Sequence, residues 1–306
     1  MVSSSSAGPS GLVFDPKQVH RVGIIGALHK RRIGSAVEQV VGWLQGRGLH
    51  ALLSQEQAGE LSLPDLGVEL SELVQSSDLL LAMGGDGTFL ATARLGAPHG
   101  KPIIGVNLGG FGFLASIPSG DAMLKSLEEV MSGRLRVQER MMLQARVLRK
   151  DEEAGSFLAL NDVVVGKGAF SRLFRLRTDI SGEPVSHFPA DGIIVSTPTG
   201  STGYSLSAGG PVVDPEVRVI LVTPICAHAL SARTLVVPPE RVVEIALPDP
   251  RSEEVNLTAD GQEGCALGAG NRIEVRQAPF SARLVMLPDT SFYRKLRGKL
   301  GWGAHR

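Results

Sequence analysis

The sequence has little cysteine. Only Cys226 and Cys265 occur in 306 residues, with no CxxC pair. That gives no zinc site and fits a reducing, cytoplasmic setting. The histidines are scattered and form no HExxH. Excess charge is lacking too: 31 Lys and Arg balance 31 Asp and Glu, so nucleic acid is not expected as a partner. No apolar run approaches the ~18 residues that span a bilayer, so no membrane partner is expected. The start, "MVSSSSAGPSGLVF", has neither the charged n-region nor the apolar h-region of a signal peptide. Its Ser, Gly and Pro predict a disordered tail, taken here as residues 1–18. No internal repeat is evident.

What remains divides by texture. From residue 19 to about 130, short apolar runs alternate with amphipathic stretches. "RVGIIGA", "HALLS", "DLLLAM" and "KPIIGVN" read as strands. "GSAVEQVVGWLQGRG", "LGVELSELVQSS" and "GTFLATARLGA" read as helices. This βα order predicts a parallel, Rossmann-like sheet with helices on both faces, binding ligands at the carboxyl ends of its strands. After the helix candidate "DAMLKSLEEVMSG", residues 131–290 carry closely spaced strand-like runs separated by turn residues. They predict a mostly antiparallel all-β domain. "TSFYRKLRGKLGW" reads as a closing helix and tail over 291–306. A cleft between the two domains is the expected place for a ligand.

Five stretches carry candidate chemistry. "GGDGT", Gly84 to Thr88, follows a strand and opens a helix. Its glycines can bring backbone N–H groups close to a phosphate, aided by the Thr88 hydroxyl and the helix N-terminus. It also reads as a tight turn with Asp86 as a cap. It is neither a Walker A loop nor a GxGxxG fingerprint. "GVNLGGFGFLA" is a second glycine-rich turn after a strand. In "LNDVVVGKG", Asn161 and Asp162 interrupt an apolar strand, either to bind an adenine edge or ribose hydroxyls or to form a bulge or cap. "ADGIIVSTPTGSTGYSLSAGGPVV" crowds hydroxyls and glycines into one loop, which suits a polyhydroxylated or phosphorylated ligand. "NLTADGQ" reads as a hairpin turn.

Together these stretches resemble the ATP-dependent NAD kinases. "GGDGT" is that family's signature, shared with diacylglycerol and sphingolipid kinases and loosely with phosphofructokinases. "DGIIVSTPTGSTGYSLSAGGP" is more specific, and "ND", "TADGQ" and "KLGW" follow in the family's order. Two positions depart: Asp162 stands where many members have Glu, and Gly203 where Ala is usual. The resemblance implies an α/β N-terminal domain, a β-sandwich-like C-terminal domain and a homodimer or homotetramer. It implies phosphoryl transfer from ATP, or another phosphoryl donor, to the 2′-hydroxyl of the adenosine ribose of NAD, with Mg²⁺ expected alongside the ATP. Asp86 would be the catalytic base, with Gly84, Gly85 and Thr88 forming the phosphate loop. Asp86, Gly87, Asn161, Asp162, Arg172, Asp191, Thr202, Gly203, Tyr204, Ser205, Leu206, Ser207 and Gln262 would contact NAD. A lipid kinase of the diacylglycerol type is the alternative that GGDGT leaves open.

Overall fold

A computed structural model describes residues 12–26, 31–108, 112–133, 135–168, 174–229, 231–247, 255–268, 270–288 and 290–301. The chain forms two compact units, one of residues 1–139 and 283–306, the other of residues 140–282.

In the first unit the apolar runs form the strands β1 (Arg21–Gly26), β2 (His50–Ser54), β3 (Leu79–Gly84) and β4 (Pro102–Asn107). They are mutually parallel in the order β4-β3-β1-β2, and Arg283 and Leu284 add a parallel pairing at the outer side of β4. Every residue of β3 is buried, as a central parallel strand covered on both faces requires. The helix α1 (Arg31–Gln45) packs Ile33, Val37, Val40, Val41 and Leu44 on the face that carries Leu79, Leu81 and Met83. The helix α2 (Leu70–Ser76) is shorter than "LGVELSELVQSS" predicts, because Gly67 and Val68 instead pair in parallel with Leu53 and Ser54. The helix α3 (Asp86–Gly96) lies on the opposite face, where Gly96 sits against Leu80 and Ile103. The helix α4 (Ala122–Ser132) adds Met123, Leu127 and Val130 to the α1 side. Each of these large side chains contributes roughly 1.5–3 kcal/mol on burial.

Gly84 is in register with Asn107. The loops leaving β3 and β4 therefore start side by side at the carboxyl edge of the sheet, where an open α/β sheet offers its ligand site.

The second unit is antiparallel. Strands β5 (Asp162–Lys167), β6 (Gly192–Ser196), β7 (Ile220–Ile225), β8 (Leu235–Val237), β9 (Val255–Ala259) and β10 (Glu263–Leu267) form one sheet in the order β8-β7-β6-β5-β9-β10. A second layer of antiparallel pairs includes Leu143–Arg149 with Glu152–Ala159, and Arg177–Ile180 with Val243–Ala246. Val163, Val165, Ile193, Val195 and Leu257 of the first layer share one core with Leu143, Ala145, Ile245, Ile273 and Val275 of the second. This two-layer core gives the β-sandwich-like character that the resemblance implies. The closing helix, α5 (Phe292–Leu300), belongs to the first unit.

Candidate active site

The first unit presents Asp86. Gly84 ends β3, Gly85 is the cap position and Asp86 is the first residue of α3. A side chain on Gly84 would collide with Thr88, so glycine is needed for the chain to turn that tightly into the helix. The Asp86 carboxylate reaches across to the loop after β4. One oxygen accepts the Phe113 N–H at 2.7 Å and the other accepts the Leu114 N–H at 3.1 Å. Gly112 lies so close that a Cβ there would strike the carboxylate. Asp86 thus joins the loop after β3 to the loop after β4. Two backbone donors fix its orientation, and each oxygen keeps lone-pair capacity for an incoming proton. Gly87 is exposed at the mouth of this turn and Thr88 is half-buried behind it.

The second unit builds a different cluster from three turns. Asn161 precedes β5 and Asp162 opens it. Both follow Leu160, and the N–H groups of all three converge on one carboxylate: Asp260 accepts from Leu160 at 3.0 Å, Asn161 at 2.7 Å and Asp162 at 3.2 Å. Asp260 sits in the tight β9–β10 hairpin with φ of 51°, a left-handed conformation that Asp tolerates better than most residues. The loop after β6 closes on the same turn. Thr197 donates its hydroxyl to the Leu160 carbonyl at 2.6 Å and its N–H to the Asn161 carbonyl at 2.9 Å. Gly200 leaves no room for a side chain against the Asn161 backbone. At Gly203 a Cβ would lie 3.6 Å from Asn161 Nδ2 and 3.8 Å from Asp162 Oδ2. Asn161, Asp162 and Gly203 therefore face one another.

Asp162 is 5% exposed. Burial, and after it the negative charge of Asp260, pushes its carboxyl up to about 7 from an ordinary 3.8. The folded state then keeps a proton that the unfolded chain has already lost. Stability falls as pH rises from about 4 to about 7 and levels off above that. Thermal melts from about pH 5 to about pH 8 are expected to show this fall in the native chain and a flatter profile in Asp162→Asn. Parallel profiles for the two proteins would contradict it.

The hydroxyl-rich loop divides its groups differently from the sequence expectation. Ser196 donates to the Thr197 carbonyl, and Ser201 bonds the Pro198 carbonyl and the Val213 N–H. Thr199 accepts from Arg140, and Ser205 bonds Thr223. Most of these hydroxyls hold the loop in shape. The exposed members are Tyr204 and Ser207, while Thr202, Gly203 and Leu206 are half-buried and Ser205 is buried. Among the described residues the Thr202 hydroxyl reaches only the Thr199 carbonyl, at 3.4 Å. Asp191, between the strand Glu183–Ala190 and β6, pairs with Lys167 at 2.8 Å. Gln262 is exposed on the same hairpin as Asp260. Arg172 lies outside the described residues. Sequence reasoning missed Asp260 and Gly112. "TADGQ" contained the signal for Asp260, but nothing local marks which backbone a carboxylate will cap.

Among the described residues no three His, Cys, Asp or Glu side chains gather as metal ligands, and no helix is long and apolar enough to cross a membrane.

Family models described as the ATP-NAD kinase N-terminal domain and the ATP-NAD kinase C-terminal domain match residues 22–135 and 160–287. The NAD kinase of Moorella thermoacetica is 44% identical over 288 residues, 94% of this chain and 91% of its own. That of Syntrophotalea carbinolica is 41% identical over 283 residues, 92% of this chain and 99% of its own. Yeast NADH kinase, solved as a complex with NADH, superposes with a TM-score of 0.85 at 28% identity, covering 94% of this chain and 89% of that one. An Archaeoglobus fulgidus NAD kinase in complex with ATP superposes at 0.68, covering 92% and 97%; its 23% identity bears on the fold alone. The family match spans both units, so the GGDGT turn here is that of a nucleotide kinase and not of a lipid kinase: the chain belongs to the NAD kinase family.

Proposed function

We propose that this chain transfers the terminal phosphoryl group of ATP to the 2′-hydroxyl of the adenosine ribose of NAD, with Asp86 as the general base, and releases NADP and ADP. The observation that carries the reading is the Asp86 carboxylate, held by two backbone N–H groups at a glycine turn in a chain of this family. A ribose hydroxyl is too weak an acid for a carboxylate to deprotonate it before it attacks phosphorus. The proton passes as the new oxygen–phosphorus bond forms, so alignment matters as much as basicity.

In this reading Gly84, Gly85 and Thr88 line the phosphate side, and Gly87 lets the ribose approach. Asn161 and Asp162 take the adenine or ribose edge, and Thr202 to Ser207 line the dinucleotide, with Tyr204 packing on a ring. Asp191, Arg172 and Gln262 contribute on the nicotinamide and phosphate side. The half-exposed Tyr204 and the Thr202 hydroxyl, which has only one long bond, support this part of the assignment. A divalent cation, Mg²⁺, enters as part of the ATP complex, whose phosphate oxygens suit it. The enzyme works in the cytoplasm as a homodimer or homotetramer. Its two thiols, Cys226 and Cys265, are unbridged, as a reducing setting favours.

Incubation of the chain with ATP, Mg²⁺ and NAD, read by an NADP-specific dehydrogenase, is expected to give NADP. ATP-dependent phosphorylation of diacylglycerol with no NADP formed would overturn the reading. Thr202→Val is expected to raise the KM for NAD more than that for ATP, by about tenfold for a lost hydrogen bond to a ligand. Equal rises for both substrates would remove Thr202 from the NAD site.

A further inference from the structure

Two lysines on α5 play different parts. Lys295 and Lys299 are four residues apart and share one helix face. Lys295 uses its ammonium structurally: it donates to the Phe113 carbonyl at 2.8 Å and to the Ala115 carbonyl at 3.4 Å. It thereby fastens the same loop whose N–H groups hold Asp86. Lys299 behaves differently. Its Nζ is buried, has no hydrogen-bond partner among the described residues, and stands 4.7 Å from the centroid of the Phe113 ring. A lysine kept only for packing would extend its ammonium into water. Burial lowers the pKa of this amine, and the nearby charge of Asp86 acts in the opposite direction.

A cavity of about 370 Å³ opens at this point, lined by Asn107, Gly112, Ser116, Lys295 and Lys299 among others. Gly112 packs on the Asp86 carboxylate, so the cavity adjoins the proposed base. A buried ammonium that touches a phenyl face but makes no hydrogen bond among the described residues, beside a cavity that also presents Asn107 and Ser116, suits an anion. The volume has room for a short phosphate chain.

We propose that this cavity receives the phosphate chain of the phosphoryl donor and that Lys299 is the cation that binds it. The inference rests on the reaction proposed above. In that reaction the 2′-oxygen bonds to phosphorus and its proton passes to Asp86. The bond from phosphorus to the bridging oxygen breaks, and the electron pair leaves on ADP. Lys299 moves no proton. It donates hydrogen bonds to phosphate oxygens and offsets charge that would otherwise repel Asp86.

The test is calorimetric titration of the full-length chain with inorganic tripolyphosphate, without NAD and without turnover. Failure to make NADP would therefore count against the reaction and leave this result separate. Lys299→Met is expected to bind tripolyphosphate and ATP about 10- to 100-fold more weakly and to bind NAD within about twofold of the native chain. Lys299→Arg, which keeps the charge, is expected to stay within about threefold for all three. Unchanged tripolyphosphate binding in Lys299→Met overturns the proposal, as does a loss confined to NAD, which would assign the cavity to the dinucleotide's own phosphates. Should Lys299→Met fail to fold, NMR of the native chain with labelled lysine decides. Movement of the Lys299 ζ resonance on adding tripolyphosphate supports the site, and no movement overturns it.

Discussion

Asp86→Asn is expected to bind NAD as the native chain does and to lose about 10²–10⁴-fold in kcat. The substitution is nearly isosteric. An amide oxygen can still accept one of the N–H groups of Phe113 and Leu114, so the turn is retained. The amide nitrogen then faces the other N–H, a local conflict between two donors that costs about 1–3 kcal/mol. What disappears is the acceptor for the ribose proton as the oxygen–phosphorus bond forms. Kinetics and NAD titration on the same preparation separate these effects: kcat falls steeply while the Kd for NAD holds. A variant with near-native kcat would show that the carboxylate only organises the loop.

Asp260→Ala is expected to be the most disruptive change in the second unit. Asp260 is the common acceptor for the N–H groups of Leu160, Asn161 and Asp162, and its own N–H returns to the Asp162 carbonyl at 2.9 Å. Removing the carboxylate strands partly buried donors and leaves alanine in a left-handed conformation that it adopts poorly. The expected cost is about 2–5 kcal/mol of stability, with a rise of tenfold or more in the KM for NAD, because Asn161 and Asp162 lose the anchor that presents them. Asp260→Asn keeps one acceptor and a side chain that tolerates positive φ, so its effects fall between. It also removes the negative charge facing Asp162, and the pH-dependent loss of stability shrinks accordingly. Melting curves and steady-state kinetics across the three proteins read both consequences. An alanine variant with native melting temperature and native KM would mean that the β5 turn stands without this carboxylate.

The α/β half was legible because its signals are local. Apolar runs of strand length at "RVGIIG" and "DLLLAMG", glycines at their ends and helical spacing between them leave one reading. Errors arose where pairing with a distant strand overrode local pattern, as at Gly67 and Val68. The short helix Gln55–Glu60 went unread because one turn and a half of mostly polar residues has no periodicity to detect. The antiparallel half was legible as a class but not in its strand order, which depends on contacts remote in sequence.

At the site the limits are similar. Glycines at 84, 112 and 200 are required by what lies against them, and only for Gly84 is that neighbour close in sequence. The hydroxyl-rich loop invited a ligand reading for all its side chains. In the fold, Ser196, Thr197, Ser201 and Ser205 instead satisfy one another's surroundings, which composition alone does not reveal. Lys299 was hidden for the opposite reason. "KLGW" marks the position as part of the resemblance, but nothing local assigns Lys299 a role until Phe113 and Asp86 are brought beside it.

The most direct measurement is the position of the transferred phosphate. NAD is incubated with ATP, Mg²⁺ and the native chain or Asp86→Asn, and the dinucleotide product is examined by phosphorus and proton NMR. The account predicts a new phosphomonoester coupled to the proton at C2′ of the adenosine ribose, formed by the native chain and nearly absent with Asp86→Asn. A phosphate on any other hydroxyl, or equal yields from the two proteins, would contradict it.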